Sequence, residues 1–342
     1  MCEYLKNIVK FLFSGNETNN SDNNILDLKI SNNINISQEL KKVNTTIIRK
    51  DLFNNNYYFK YLFINNNEYK FNNLRESVDK NYIIHKKNLV KNSKKLFKNI
   101  YIKNNNVYKC SYYHDKQNYI HIIRYLKNNK VPNIILPNEI YEEILSTPDL
   151  ATKIIIQISP YKKYGDLYTY VDSNKLKYYE IYAIFYKLIR IIKCLHKLNI
   201  SHRDIKLENI LIDFSPNLEL YLIDFEYSNH SSDYSKFNGG TVPYVSPELL
   251  KNKQINNYKC LDIWALGIIL YILIFKLHPW EIANPKICDY YYNFVNNSIY
   301  FNNSLNSINI PLHKVIYTKI LNYCFNLNYK KRIDINYIYN LL

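Results

Sequence analysis

His202-Arg203-Asp204-Ile205-Lys206-Leu207-Glu208-Asn209 is the stretch on which the reading of this chain turns. It sets a carboxylate at Asp204, an ammonium two positions on at Lys206 and a side-chain amide at Asn209. A carboxylate can accept a proton. A nearby cation can meet developing negative charge. An amide oxygen suits a hard metal cation. Three polar turn residues would be the plain structural alternative, and the rest of the chain argues against it.

Working outward, Leu222-Ile223-Asp224-Phe225-Glu226 comes next. Gly240-Thr241-Val242-Pro243-Tyr244-Val245-Ser246-Pro247-Glu248 follows, then Asp262-Ile263-Trp264-Ala265-Leu266-Gly267, and finally Lys331-Arg332-Ile333. Upstream, Tyr164-Gly165-Asp166-Leu167 stands after an apolar run ending near Ser159-Pro160-Tyr161. In this order the motifs resemble the eukaryotic-type protein kinase family: its H-R-D-L-x-x-x-N loop, its D-F-G, the A-P-E end of its activation segment, a D-x-W-x-x-G helix and a late Arg. Lys206, with Gly240-Thr241 ahead of Pro247-Glu248, resembles the Ser/Thr branch.

The resemblance implies an α+β, two-lobed fold over residues 82–342, with a small mainly β N-lobe at 82–160 and a larger mainly α C-lobe at 161–342. It implies ATP-dependent phosphoryl transfer to Ser/Thr hydroxyls of a protein substrate, with ATP and Mg²⁺ as cofactors. Asp204 would orient the hydroxyl and accept its proton. Lys206 would meet the transferring phosphoryl charge. Asn209 and Asp224 would hold Mg²⁺ and, with Lys103, the nucleotide. Glu248 would pair with Arg332, and Asp262 would brace the catalytic loop. A pseudokinase acting as a binding or allosteric module is the alternative.

The N-terminal half departs from the family. A kinase covers the phosphates with G-x-G-x-x-G, follows with V-A-I-K and places a Glu on the next helix. No glycine lies between Gly15 and Gly165, so the glycine cover is absent. Asn88 or Asn92 is the candidate turn there, since Asn tolerates positive φ. Ile100-Tyr101-Ile102-Lys103 is the best match to V-A-I-K, with Leu89-Val90-Lys91 as the preceding strand. That register puts His121 or Ile122 where the Glu belongs. A second register takes Asn106-Val107-Tyr108-Lys109 as the preceding strand and Ile122-Ile123-Arg124 as V-A-I-K. Its helix spans 138–146, with Glu142 or Glu143 as the partner. The ATP-contacting residue is therefore Lys103, with Lys109 or Arg124 as the alternatives.

Hydrophobic periodicity supplies the rest. Tyr119 to Asn129 is expected to be a helix, as is a short segment opening at Pro137-Asn138-Glu139. Ile154 to Ile158 reads as a buried strand and Lys177 to Lys197 as a long amphipathic helix. Residues 1–81, with Asn clusters and no fixed period, read as a partly disordered extension.

Composition bounds the partners. The formal charge is +16, from 45 Lys+Arg against 29 Asp+Glu. The dense Asn, Ile, Lys and 36 Tyr fit an AT-rich coding bias, so the charge reads as lysine drift and no specific nucleic acid is predicted. The 6 cysteines are scattered, without a CxxC pair or metal-ligand spacing. They indicate an intracellular, cytoplasmic protein. The apolar run Ile263 to Phe275 is too short for a bilayer and reads as a core helix, so no membrane is expected. The sequence leaves oligomeric state open.

In related kinases the Arg before the catalytic Asp receives an activation-loop phosphate, and here it is Arg203. Ser231, Ser232, Tyr234 and Ser235 are the expected acceptors. Thr241 is expected instead to tether Asp204 and Lys206.

Overall fold

The structure is a computed structural model. It describes residues 94–97 and 100–342, apart from 113–115, 148–149, 164, 215, 233–238, 252, 297–298, 309–310 and 333. The expected extension at 1–81, the expected strand Leu89-Val90-Lys91 and the turn at Asn88 or Asn92 lie outside the described residues.

Among the described residues the small lobe is a five-stranded antiparallel sheet with one helix. Its strands are β1 (Lys94–Phe97), β2 (Ile100–Lys103) and β3 (Asn106–Tyr112), then, after helix α1 (Lys116–Asn128), β4 (Glu139–Thr147) and β5 (Leu150–Pro160). They lie in the order β1-β2-β3-β5-β4. Asn104 and Asn105 join β2 to β3 with φ of 49° and 61°. Positive φ at both central residues of a two-residue hairpin is the type I′ pattern, which Asn tolerates. The turn fixes the pairing at Lys103↔Asn106, so Lys109 lies opposite Ile100 on one side and Gln157 of β5 on the other.

Helix α1 forms where the periodicity places it. Tyr119, Ile122, Ile123 and Leu126 are buried on one face, and His121 and Arg124 are exposed on the other. The segment at 138–146 is a correction: it is strand β4, paired with β5 from Glu139↔Ile158 to Thr147↔Leu150. Its apolar residues fit a helical or a strand spacing. The long partner strand decides between them, because tertiary pairing overrides weak local preference.

After α1 the turn Val131 to Ile134 docks on the large lobe. Asn133, at φ 58°, donates from its amide to Glu219 at 2.9 Å and to the Leu220 carbonyl at 3.1 Å. The large lobe continues with α2 (Leu167–Ser173), α3 (Tyr178–Lys197), β6 (Ile200–Ser201), β7 (Ile210–Asp213), β8 (Glu219–Leu222) and β9 (Asn229–His230). It ends with α4 (Pro247–Leu250), α5 (Lys259–Phe275), α6 (Asp289–Asn296), α7 (Ile299–Asn306), α8 (Pro311–Cys324) and α9 (Ile335–Leu341).

Helix α3 buries Ile181, Phe185, Leu188, Ile192 and Leu195 along one stripe. The Glu180 carboxylate accepts from the Lys177 backbone N–H and caps its first turn. Helix α5 is buried from Cys260 to Leu273, as a core helix should be. Gly267 lets α8 approach it: a Cβ there would lie 2.6 Å from the Cys324 Cβ. Among the described residues no helix is long and apolar enough to cross a membrane.

Candidate active site

The catalytic-loop residues sit between β6 and β7, and buried polar contacts from the large lobe set their backbone. Asp262, at the start of α5, accepts from the backbone N–H of His202 (3.0 Å) and of Arg203 (2.9 Å). His196 of α3 reaches the same carboxylate at 2.8 Å. The His202 ring contacts the Ile223 carbonyl at 3.0 Å and packs edge-on against Phe225. These contacts tie down the start of the loop, and its end is held where the Ile223 N–H donates to the Asn209 carbonyl at 3.0 Å. Arg203, at φ 67°, donates from Nε to the Tyr227 carbonyl and lays its guanidinium over the Tyr258 ring.

This frame brings Asp204, Lys206, Asn209 and Thr241 together. The Lys206 ammonium lies 3.0 Å from Asp204 Oδ2 and donates to the Thr241 hydroxyl at 2.8 Å. That hydroxyl donates to Asp204 Oδ1 at 3.0 Å. The Asn209 amide nitrogen donates to the Asp204 carbonyl at 2.9 Å and to its Oδ2 at 3.0 Å. Its planar amide therefore presents the oxygen away from Asp204. Burial pulls the Lys206 ammonium down, but Asp204 and its acidic neighbours outweigh it, so the amine is held above its usual range. Gly240, at φ 100°, lets Thr241 approach: a Cβ there would stand 3.2 Å from Val245 Cγ2.

Asp224 faces this cluster from the end of β8, in the left-handed region at φ 69°. Its Oδ2 lies 2.7 Å from Lys109 Nζ. Its Oδ1 is buried without a hydrogen-bond partner among the described residues. Burial pushes this carboxyl up, but Lys109 more than reverses the effect and holds it below the ordinary value. The same pairing raises Lys109, against the opposing pull of burial. Lys109 also meets Glu226 at 2.8 Å.

The cation at Asp224 corrects the favoured register. Lys103 ends β2 beside the Asn104-Asn105 turn, and its side chain lies outside the described residues. Lys109, on the following strand, reaches the site instead. The second register fails too, since Arg124 lies on the exposed face of α1 and 138–146 is a strand. Two residues, 98 and 99, separate β1 from β2, and neither is glycine. Sequence reasoning missed the joint placement of Lys109, Gln157, Tyr119 and Glu226. The Asn104-Asn105 turn is the signal that would have ranked Lys109 above Lys103.

In the large lobe Glu248 pairs with Arg332, and their side chains are 3% and 0% exposed. Arg332 also lies over the Trp264 ring. Ser231, an expected phosphate acceptor, is buried, its hydroxyl 2.8 Å from that of Ser201. Tyr234 and Ser235 lie outside the described residues, and Ser232 is exposed.

A family model described as protein kinase domain matches residues 87–341. The chain belongs to the protein kinase domain family. Among curated proteins it is similar to the serine/threonine-protein kinase SRK2F of Arabidopsis thaliana, 35% identical over 167 residues, covering 47% of this chain and 45% of that protein. It is similar to the human NUAK family SNF1-like kinase 2, 31% identical over 179 residues, covering 51% of this chain and 27% of the relative. It is also similar to the serine/threonine-protein kinase PRR2 of Saccharomyces cerevisiae, 40% identical over 144 residues, covering 40% and 20%. The chain thus spans less than half the length of these relatives. The two-lobed α+β architecture is that of the family.

Proposed function

We propose that this chain catalyses ATP-dependent phosphoryl transfer to Ser/Thr hydroxyls of protein substrates. The observation that carries the reading is the cluster of Asp204, Lys206, Asn209 and Thr241 facing Asp224. Phosphoryl transfer asks for positioning and charge neutralisation more than for covalent help, and this cluster supplies both. The Asp204 carboxylate, fixed on three sides, orients a substrate hydroxyl and takes its proton. The Lys206 ammonium beside it meets negative charge on the transferred group.

The residues present fit a divalent cation. Asp224 offers a buried, unpartnered carboxylate oxygen, and Asn209 an amide oxygen whose nitrogen is already engaged. Both are hard ligands suited to Mg²⁺. Bound Mg²⁺ would neutralise phosphate charge. Among the described residues no group of three His, Cys, Asp or Glu could hold a metal, so further ligands would come from phosphate and water. Lys109 takes the nucleotide-contacting role first expected of Lys103. We assign residues 82–342 to the kinase domain and 1–81 to an extension. The scattered thiols support a cytoplasmic setting.

Incubating the purified chain with labelled ATP, Mg²⁺ or Mn²⁺ and a basic protein acceptor tests the proposal. Label on the acceptor, lost on Asp204→Asn, is the expected result. ATP bound without transfer would instead select the pseudokinase module, the reading favoured by the missing glycine cover.

A further inference from the structure

Helix α1, whose sequence is KQNYIHIIRYLKN, carries no carboxylate. The cation on β3 therefore has no acidic partner from the helix packed beside it. We infer that Glu226 is the positioning residue for Lys109, supplying from the Asp-Phe-Glu segment the carboxylate that α1 lacks. The inference rests on the phosphoryl-transfer reading above and deepens it.

Three contacts build the arrangement. Glu226 Oε1 lies 2.8 Å from Lys109 Nζ. It also accepts from the Gln157 amide nitrogen at 2.9 Å. The Gln157 amide oxygen accepts from the Tyr119 hydroxyl at 2.6 Å. Tyr119 and Gln157 are 1% and 6% exposed, so the bond between them is not traded freely with water, while the bond to Glu226 is partly buried. The polarity of the chain is set from its ends. A carboxylate only accepts, so Gln157 must turn its nitrogen to Glu226 and its oxygen to the phenol. Helix α1 thus bears on Lys109 through a phenol, an amide and a carboxylate in series.

Glu226 stands where the resemblance places glycine. It lies in the short helical turn Phe225–Tyr227, directly after Asp224 takes the left-handed conformation. The local freedom of a glycine is absent there, and in its place the segment offers Lys109 a second carboxylate. Two carboxylates on one ammonium hold it more firmly than Asp224 alone. They also keep it at the site if Asp224 turns to a metal ion.

The sheet register supplies a test that packing alone would not pass. Lys109 and Gln157 are directly opposed across β3 and β5, a spacing of about 5 Å between Cβ atoms. A carboxylate at 157 can therefore reach Lys109 from the opposite side. Glu226→Gln should lower kcat/KM for ATP about tenfold or more, the size of one hydrogen bond to a charged group. Glu226→Gln/Gln157→Glu should recover most of that loss. On a Lys109→Met background, Glu226→Gln should change nothing further, because the two residues act as one unit. A single variant within twofold of the unmutated protein, or an exchange variant no better than the single one, overturns the inference. If the unmutated chain transfers no phosphate, the functional reading fails, and thermal melting without nucleotide decides this one separately. There, Glu226→Gln should lower the melting temperature and the exchange should restore it. No fall, or no recovery, overturns it.

Discussion

The two lobes solve the same positioning problem by different means. In the large lobe each reacting side chain is held by residues close in sequence or by a fixed tertiary partner. Asp204 and Asn209 share one loop, and Asp262 anchors that loop through two backbone N–H groups. In the small lobe the cation is placed by strand pairing. Lys109 arrives through a two-residue turn and a sheet register, and its carboxylates come from another lobe's segment. Local motifs survive as readable strings because their spacing is the chemistry. A pairing register leaves no such string.

The largest effect should come from breaking the large-lobe cluster. Asp204→Ala should cut turnover by about 10²–10⁴-fold, with the chain still folded by circular dichroism. A turnover loss under tenfold would remove the distinction between the lobes.

Next comes the scaffold beneath it. Arg332→Met leaves Glu248 buried without its partner, which should destabilise the chain by about 3–5 kcal/mol. Denaturant unfolding followed by tryptophan fluorescence reads this, since Trp264 stacks on Arg332.

Acid should then separate the two regions. Burial, partly offset by Glu281, pushes His278 down from 6.5 to about 4. Below pH 6.5 the unfolded chain gains a proton that the folded chain refuses. Stability is therefore full above 6.5 and falls as pH drops towards 4, by at most about 3–4 kcal/mol at about 1.4 per unit. His278→Gln should flatten that slope. Asp224 is held below its ordinary value, so the carboxylate on Lys109 stays charged across the same window.

Smaller still is the register test. Lys109→Met should weaken nucleotide binding about tenfold, as loss of one charge-assisted contact does, whereas Lys103→Met and Arg124→Met should each stay within about twofold. Calorimetry with ATP and Mg²⁺ makes the comparison, and the reverse ranking would restore the sequence-based register.

The same contrast explains what could be read in advance. The α+β class followed from the resemblance, α1 and α3 from periodicity because each buries a single stripe, and the core helix α5 from an unbroken apolar run. The cluster around Asp204 followed from motif spacing. Strand β4 was read as a helix because Ile140, Tyr141 and Ile144 suit either period, and only the run of β5 decides. Lys109 stood only as an alternative to Lys103 because Asn104-Asn105 belongs to a chain full of asparagine pairs, where a type I′ turn looks like background. Glu226 stands where the resemblance places glycine, and nothing local in the sequence signals its contact with Lys109. Its partners lie 69 and 117 residues upstream in the chain, at Gln157 and, through Lys109, across the sheet.

Ser231 carries a consequence for timing. Its hydroxyl faces Ser201, its N–H donates to the Asn199 carbonyl, and its own carbonyl accepts from Tyr258. A phosphate adds three oxygens and about two negative charges, and a 2.8 Å hydroxyl contact has no room for them. A kinase could reach this serine only in molecules whose segment had lifted away from β6, and the phosphate would then oppose its return. Phosphate at Ser231 would therefore work as a ratchet. It would accumulate one opening at a time and record how often the segment has left its seat.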